Sequence, residues 1–211
     1  MFETEKEMLE SADVIERFDF NITKKLAKEI GSKRVVLTGM GSSVLFPAQH
    51  AKNRAFELDI KNRIEVYFAS DLFSYKDFSG TYVFLCSNSG MTKETILLQE
   101  YIKKRGAKCI AVTAVPDSIL IKRCKDKIIM KCGFEKGVAA TKSVIEQGLI
   151  LDSLILNLAR NQGKRIDFKK MRSFLTKASK NILWNINVKV PSNMLNTLAN
   201  ASSLYFAGKT T

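Results

Sequence analysis

Ser87-Asn88-Ser89-Gly90-Met91-Thr92 stands between an apolar run, Thr81 to Cys86, and a stretch from about Thr92 to Lys104 whose apolar residues recur at helical spacing. Strand, hydroxyl-rich turn and helix, in that order, form the repeating unit of a parallel α/β sheet. The same unit lies upstream: Arg34-Val35-Val36-Leu37-Thr38 is β-rich, Gly39-Met40-Gly41-Ser42-Ser43 makes the turn, and Val44 to Leu58 resumes helical periodicity. Further strands are predicted at Ile64 to Phe68, Lys108 to Thr113 and Lys127 to Cys132. They are apolar almost throughout, which means that both faces of the sheet are covered. The expected fold class is α/β, a three-layer sandwich with a five-stranded parallel sheet flanked by helices.

Helices are predicted over 3–18 and 21–31, the second capped by Asn21 and ended by Gly31. From Thr141 to Arg160 runs a helix too apolar to face solvent, which fills the core of its own domain or packs against a partner chain. A helix over 167–183 with a basic outer face and a last one over 192–201 follow, separated by Pro191, with Phe174 and Trp184 expected to anchor them to the body. Leu204-Tyr205-Phe206-Ala207-Gly208-Lys209-Thr210-Thr211 repeats the grammar of Val35 to Ser43, so the chain is expected to end at the start of a second copy of the fold.

The 211 residues allow one full domain and a remainder, and 45% hydrophobic with 26% charged residues is the balance of a packed globular chain. No apolar run reaches the ~18 residues of a membrane span, and the first ten residues are acidic; a soluble, cytoplasmic protein is expected. The net charge of +13 is uneven: residues 1–102 hold 13 basic and 15 acidic groups, the remainder 21 basic and 6 acidic. The basic groups are scattered, with no helix-turn-helix, RNP or zinc-finger pattern, so they predict a solvated surface biased toward anions and no nucleic-acid partner. Cys86, Cys109, Cys124 and Cys132 form no CxxC pair and mostly sit in apolar segments, which argues for buried thiols and against a metal or a disulfide framework. The single histidine, His50, is expected to be a helix-surface or packed residue.

In an open α/β sheet ligands bind beyond the carboxyl ends of the strands, where the two hydroxyl-rich turns fall. Each opens a helix, whose first N–H groups are free and carry partial positive charge, and serine and threonine hydroxyls complete an oxyanion shell. Ser87, Ser89 and Thr92 converge on such a centre if the turn curls around it, and glycine lets the backbone approach. The Gly-x-Gly of the first turn also begins a dinucleotide fingerprint, but Val44 replaces its third glycine and no P-loop lysine follows. A nicotinamide-binding domain with Asp71 as ribose ligand is the alternative. A third segment, Glu135-Lys136-Gly137-Val138-Ala139-Ala140-Thr141-Lys142-Ser143, has small residues that leave room for a ligand. The amides of Val138 and Ala139 would face sugar hydroxyls there, with Glu135 and Lys142 setting charge; the plainer reading is a helix start with Thr141 as cap and Lys142 in solvent.

Together the three segments resemble the sugar isomerase (SIS) domain, a phosphosugar-binding, flavodoxin-like fold. Ser87 to Thr92 is similar to its S-x-S-G-x-[ST] phosphate loop, and Glu135 to Lys142 resembles the E-x-G-V-A-[AS]-T-K motif of double-SIS proteins. These include the isomerase half of glutamine:fructose-6-phosphate aminotransferase and amino-sugar-phosphate deaminases. The resemblance implies an N-terminal helix (1–19), a SIS domain (20–160), a helical connection (161–201) and the beginning of a second SIS domain (202–211). It also implies phosphate ligands Ser43, Ser87, Asn88, Ser89 and Thr92, with Ser42 nearby, Val138 and Ala139 lining the sugar, and Glu135 at the edge as the one candidate base. No cofactor and no metal are implied. The implied activity is aldose–ketose isomerisation or amino-sugar-phosphate deamination on a hexose 6-phosphate such as fructose 6-phosphate or glucosamine 6-phosphate, without a glutaminase domain. Family members carry their enolising glutamate, ring-opening histidine and C-terminal lysine in regions beyond Thr211, so a noncatalytic sugar-phosphate sensor is the second possibility. A homodimer is expected, because helix 141–160 and an unfinished second domain would leave apolar surface to cover.

Overall fold

The computed structural model describes residues 2–186 and 188–203, so the expected start of a second domain falls almost wholly outside the described residues. Five parallel strands, β1 (Val35–Gly39), β2 (Ile64–Phe68), β3 (Tyr82–Cys86), β4 (Lys108–Thr113) and β5 (Asp126–Ile129), pair in the order β2-β1-β3-β4-β5. Register is regular: Val35 faces Ile64 on one side and Tyr82 on the other, and Gly39 faces Phe68 and Cys86. Strand order reverses at β1, which places the switch-point crevice beyond Gly39 and Cys86.

Although the central strands are buried almost throughout, successive side chains serve two separate cores. Val35, Leu37, Phe84, Cys86, Ile110 and Val112 face helices α1 (Glu3–Arg17), α2 (Lys24–Ile30), α3 (Gln49–Glu57) and α6 (Lys142–Asn161). Val36, Val83, Leu85, Cys109 and Ala111 face α4 (Lys93–Lys103) and the short α5 (Ile119–Arg123). α5 and a 3-10 turn over Asp71–Ser74 are too short to show a period in the sequence.

α6 fills the core of its own domain. Ile150, Leu151, Leu154, Ile155, Leu156 and Leu158 are fully buried within the chain, so the part of the dimer argument that rested on this helix falls away. Two of its buried polar residues reach the start of the chain: Ser153 Oγ and Thr23 Oγ1 lie 3.0 Å apart, and Asn157 Nδ2 donates to the Phe20 carbonyl at 2.8 Å. These bonds tie the 3-10 turn Phe20–Thr23, which replaces the first turn of the expected second helix, to α6. The cap of that turn is Asp19, accepting from Asn21 N–H at 2.9 Å, and not Asn21.

Two further expectations are corrected. Helix 44–58 begins as a π-helical turn, Val44–Ala48, because Pro47 inside it has no N–H to give an α-helical bond. α7 (Phe168–Ile186) packs on α1 through Met171, Leu175 and the Arg172 guanidinium, which donates to the Glu16 carbonyl at 3.0 Å. Phe174 and Trp184 are not its anchors: they are 53% and 69% exposed. α8 (Ser192–Asn200) buries none of its residues.

Candidate functional site

The two turns meet at the switch point, around an open cleft of 220 Å³ lined by Met40, Ser43, Cys86, Ser87, Asn88, Ser89, Thr92, Glu135, Gly137, Val138 and Ala140. Seven residues singled out from the sequence are thus brought together. Ser42 and Ala139 are not among the lining residues; each neighbours one that is, Ser43 and Ala140 respectively. Asp71, on its 3-10 turn after β2, also stays outside.

The first turn fits because Gly39 has no side chain: a Cβ there would sit 2.5 Å from the Cys86 carbonyl oxygen and 3.1 Å from Ser43 Cβ. Cys86 lies on the cleft floor, where burial pushes its thiol up to about 12, so it is a neutral, inert wall.

In the second turn Ser87 Oγ accepts from Gly90 N–H at 3.1 Å and lies 2.8 Å from Thr92 Oγ1, while Ser89 Oγ accepts from Met91 N–H at 3.2 Å. Thr92 stands at the N-cap of α4 with extended backbone, yet its hydroxyl turns to Ser87 and makes no cap bond. The N-terminus of this 11-residue helix is therefore without a side-chain cap. The turn is fastened from behind: Thr113 Oγ1 donates to the Asn88 carbonyl at 2.8 Å, Ala114 N–H to the same oxygen at 3.0 Å, and Leu120 N–H to the Gly90 carbonyl at 3.2 Å.

Asn88 has a bridging part. Its Nδ2 donates to the Gly133 carbonyl at 3.4 Å and its Oδ1 accepts from Glu135 N–H at 3.3 Å, linking the serine turn to the loop that enters α6.

Glu135, the candidate base, is occupied otherwise. Its Oε1 accepts from Thr141 N–H (2.7 Å), Thr141 Oγ1 (2.9 Å) and Ser143 N–H (3.1 Å), and its Oε2 from the Ser143 hydroxyl. The carboxylate, not Thr141, caps α6. Lys142 is not in solvent but buried, 2.5 Å from Glu10 of α1. Burial disfavours its ammonium, yet the bond to Glu10 and the field of Glu7 raise its pKa above the ordinary lysine value. Between Gly137 and Thr141 the N–H groups of Val138, Ala139 and Ala140 have no hydrogen-bond partner within the described residues.

The cleft thus offers hydroxyls, an uncapped helix N-terminus and free backbone amides, with no cationic side chain among its eleven lining residues. Such a surface accepts a phosphate ester on one wall and a hydroxylated group on the other. Sequence reasoning missed Glu7 and Glu10: nothing local in an acidic helix distinguishes a carboxylate reaching a loop some 130 residues away from one in water.

His50 lies apart from the cleft, with Nε2 3.7 Å from Asp152 Oδ1. The Asp152 carboxylate raises the imidazole pKa against desolvation and the Arg54 charge. A raised native pKa gives stabilisation that is complete below the ordinary histidine value and lost as pH rises through the native one. Asp152→Asn should therefore destabilise the chain more at about pH 5.5 than at about pH 9, the difference amounting to under about 1 kcal/mol because the imidazole is half exposed. Thermal melts at the two pH values check this; an equal difference at both would remove the ion pair as its cause.

A family model described as the SIS domain matches residues 30–157. The chain is 31% identical over 134 residues to glutamine–fructose-6-phosphate aminotransferase (isomerizing) of Sulfurisphaera tokodaii, covering 61% of this chain and 22% of that protein. It is 31% identical over 144 residues to the enzyme of the same name from Tropheryma whipplei strain Twist, covering 66% of this chain and 23% of the relative. The chain spans less than a quarter of the length of these two curated relatives. Among solved structures, the C-terminal domain of glucosamine-fructose-6-phosphate aminotransferase from Francisella tularensis superposes with a TM-score of 0.66 at 21% identity, over 85% of this chain and 52% of that one. Glucosamine-6-phosphate deaminase from Thermotoga maritima does so with 0.65 at 23%, over 85% and 54%. At these identities the solved structures share the fold.

Proposed function

This chain belongs to the SIS domain family, and on that premise we propose that its cleft binds a hexose 6-phosphate such as fructose 6-phosphate or glucosamine 6-phosphate. The observation that carries the proposal is the convergence of Ser43, Ser87, Ser89 and Thr92 at the uncapped start of α4, opposite the loop bearing the free amides of 138–140. The hydroxyls and the helix terminus hold the phosphate; the amides meet the sugar oxygens. The names of the aminotransferase relatives and of the deaminase that shares the fold support an amino-sugar or ketose phosphate as substrate class, and aldose–ketose isomerisation or deamination as the reaction.

Either reaction moves a proton between adjacent carbons and needs a carboxylate free to do so. Both oxygens of Glu135 are engaged in capping α6, and it is the only carboxylate among the cleft-lining residues. This favours a division in which the present chain binds the substrate and other residues supply the base. The same observation favours, as a second reading, a sensor that binds sugar phosphate and transforms nothing.

Thermal denaturation with fructose 6-phosphate, glucosamine 6-phosphate, unphosphorylated fructose and NAD tests the proposal. A sugar phosphate at 100 times its dissociation constant should stabilise the chain by about 2.7 kcal/mol, and fructose and NAD should leave the melting temperature unchanged. Stabilisation by NAD alone would replace the proposal with a dinucleotide site.

A further inference from the structure

Glu7 on α1 is 3% exposed, and it is not spent on an ion pair among the described residues. Its Oε1 accepts from Lys136 N–H at 2.6 Å and its Oε2 from Gly137 N–H at 3.2 Å, across 129 and 130 residues of sequence. Taking a carboxylate out of water is costly, and an apolar side chain would have packed α1 more simply. What the carboxylate adds is a fixed direction for two consecutive backbone amides. At Gly137 the approach leaves no room for a side chain, since a Cβ would sit 2.6 Å from Glu7 Oε2 and 2.9 Å from Thr4 Oγ1. One turn along α1, Glu10 binds Lys142 at 2.5 Å, so both ends of the loop are held by one face of one helix. Between those ties lie the free N–H groups of Val138, Ala139 and Ala140, and Val138 and Ala140 line the cleft.

Resting on the proposal that the cleft takes a sugar phosphate, we infer that Glu7 is a positioning residue: through the backbone of 136 and 137 it presents the amides of 138–140 to the sugar, while the serine turn holds the phosphate independently. The serine turn is fastened to β4 and α5, not to α1, and among the described residues it meets the loop through Asn88 at Gly133 and Glu135, upstream of the amides that Glu7 holds, so the two halves of the site can be separated by mutation.

Glu7→Gln keeps the side chain's size and replaces one acceptor with a donor that faces a backbone N–H. Calorimetric titration of the full 211-residue chain should show affinity for fructose 6-phosphate falling at least about tenfold, with affinity for inorganic phosphate unchanged within about twofold. Unaltered affinity for fructose 6-phosphate, or equal loss of both ligands, would overturn the inference. Binding of neither ligand by the unaltered chain would instead sink the reading of the cleft, and the positioning role with it. Amide hydrogen exchange on the unaltered chain gives a test that does not depend on the variant folding. Bound fructose 6-phosphate should slow exchange over 136–140 and along α1, and inorganic phosphate should not; unchanged exchange there with the sugar phosphate bound also overturns the inference.

Discussion

Replacing both Ser87 and Ser89 by alanine is expected to weaken fructose 6-phosphate binding at least about a hundredfold while the circular dichroism spectrum stays that of the unaltered chain. Each hydroxyl that reaches a phosphate makes a hydrogen bond to a charged group, about 1.5–3 kcal/mol apiece, and two losses amount to two or more powers of ten. Among the described residues nothing nearby compensates, since none of those lining the cleft is a cation that could hold the anion by charge alone. Ser87 also bonds Gly90 N–H and Thr92, and Ser89 bonds Met91 N–H, so the variant should lose about 1–4 kcal/mol of stability as well, less than a domain with this core has to lose before it unfolds. Calorimetric titration decides the matter. Affinity within a few-fold of the unaltered chain would mean that the phosphate is held elsewhere.

The largest effect on stability is expected from Gly90→Ala. Gly90 has φ +62°, and its Cβ would lie 2.3 Å from Ser118 Oγ, 2.6 Å from Ser118 Cβ and 2.9 Å from Thr113 Oγ1. Neither neighbour is free to leave: Ser118 caps α5, and Thr113 holds the Asn88 carbonyl. Left-handed backbone and overpacking together cost about 2–5 kcal/mol, a fall in melting temperature of roughly 5–15 °C for a chain of this size. Gly41 supplies the control. It has φ +55° with no atom within 4 Å of its Cβ position, so Gly41→Ala should cost only about 1–2 kcal/mol. Equal shifts in the two variants would show that Ser118 moves aside without penalty.

How much of this was legible in the sequence follows from the range of the forces involved. The central strands β1, β3 and β4 were visible because burial on both faces leaves an unbroken apolar run. β5, expected over 127–132, starts one residue earlier and stops at Ile129, since an edge strand with Lys127 exposed carries a weaker signal. The serine turn was legible because its chemistry is local: Ser87, Gly90 and Thr92 bond to one another within five residues. The loop entering α6 was only half legible. Its small residues marked a place for a ligand, but the reach of Glu135 around to Ser143, the burial of Lys142 and the attachment of both ends to α1 are settled by tertiary packing. Pattern alone likewise could not say whether the apolar 141–160 stretch met its own sheet or another chain.

The bonds that finish the site close very long loops, from 129 residues for Glu7 with Lys136 to 132 for Glu10 with Lys142. At a synthesis rate of about 5–20 residues per second, α1 leaves the ribosome on the order of ten seconds before the segment it will hold has been made. During that interval Val14 and Ile15, buried in the finished chain, face water or a chaperone, while β1, β2 and β3 already have one another to pair with. α1 is thus made well before the segments that it holds. The wall that bears the amides of 138–140 cannot be tied to α1 until residues 136–142 have been made, so a chain that has only just completed its serine turn still lacks the opposite side of the cleft.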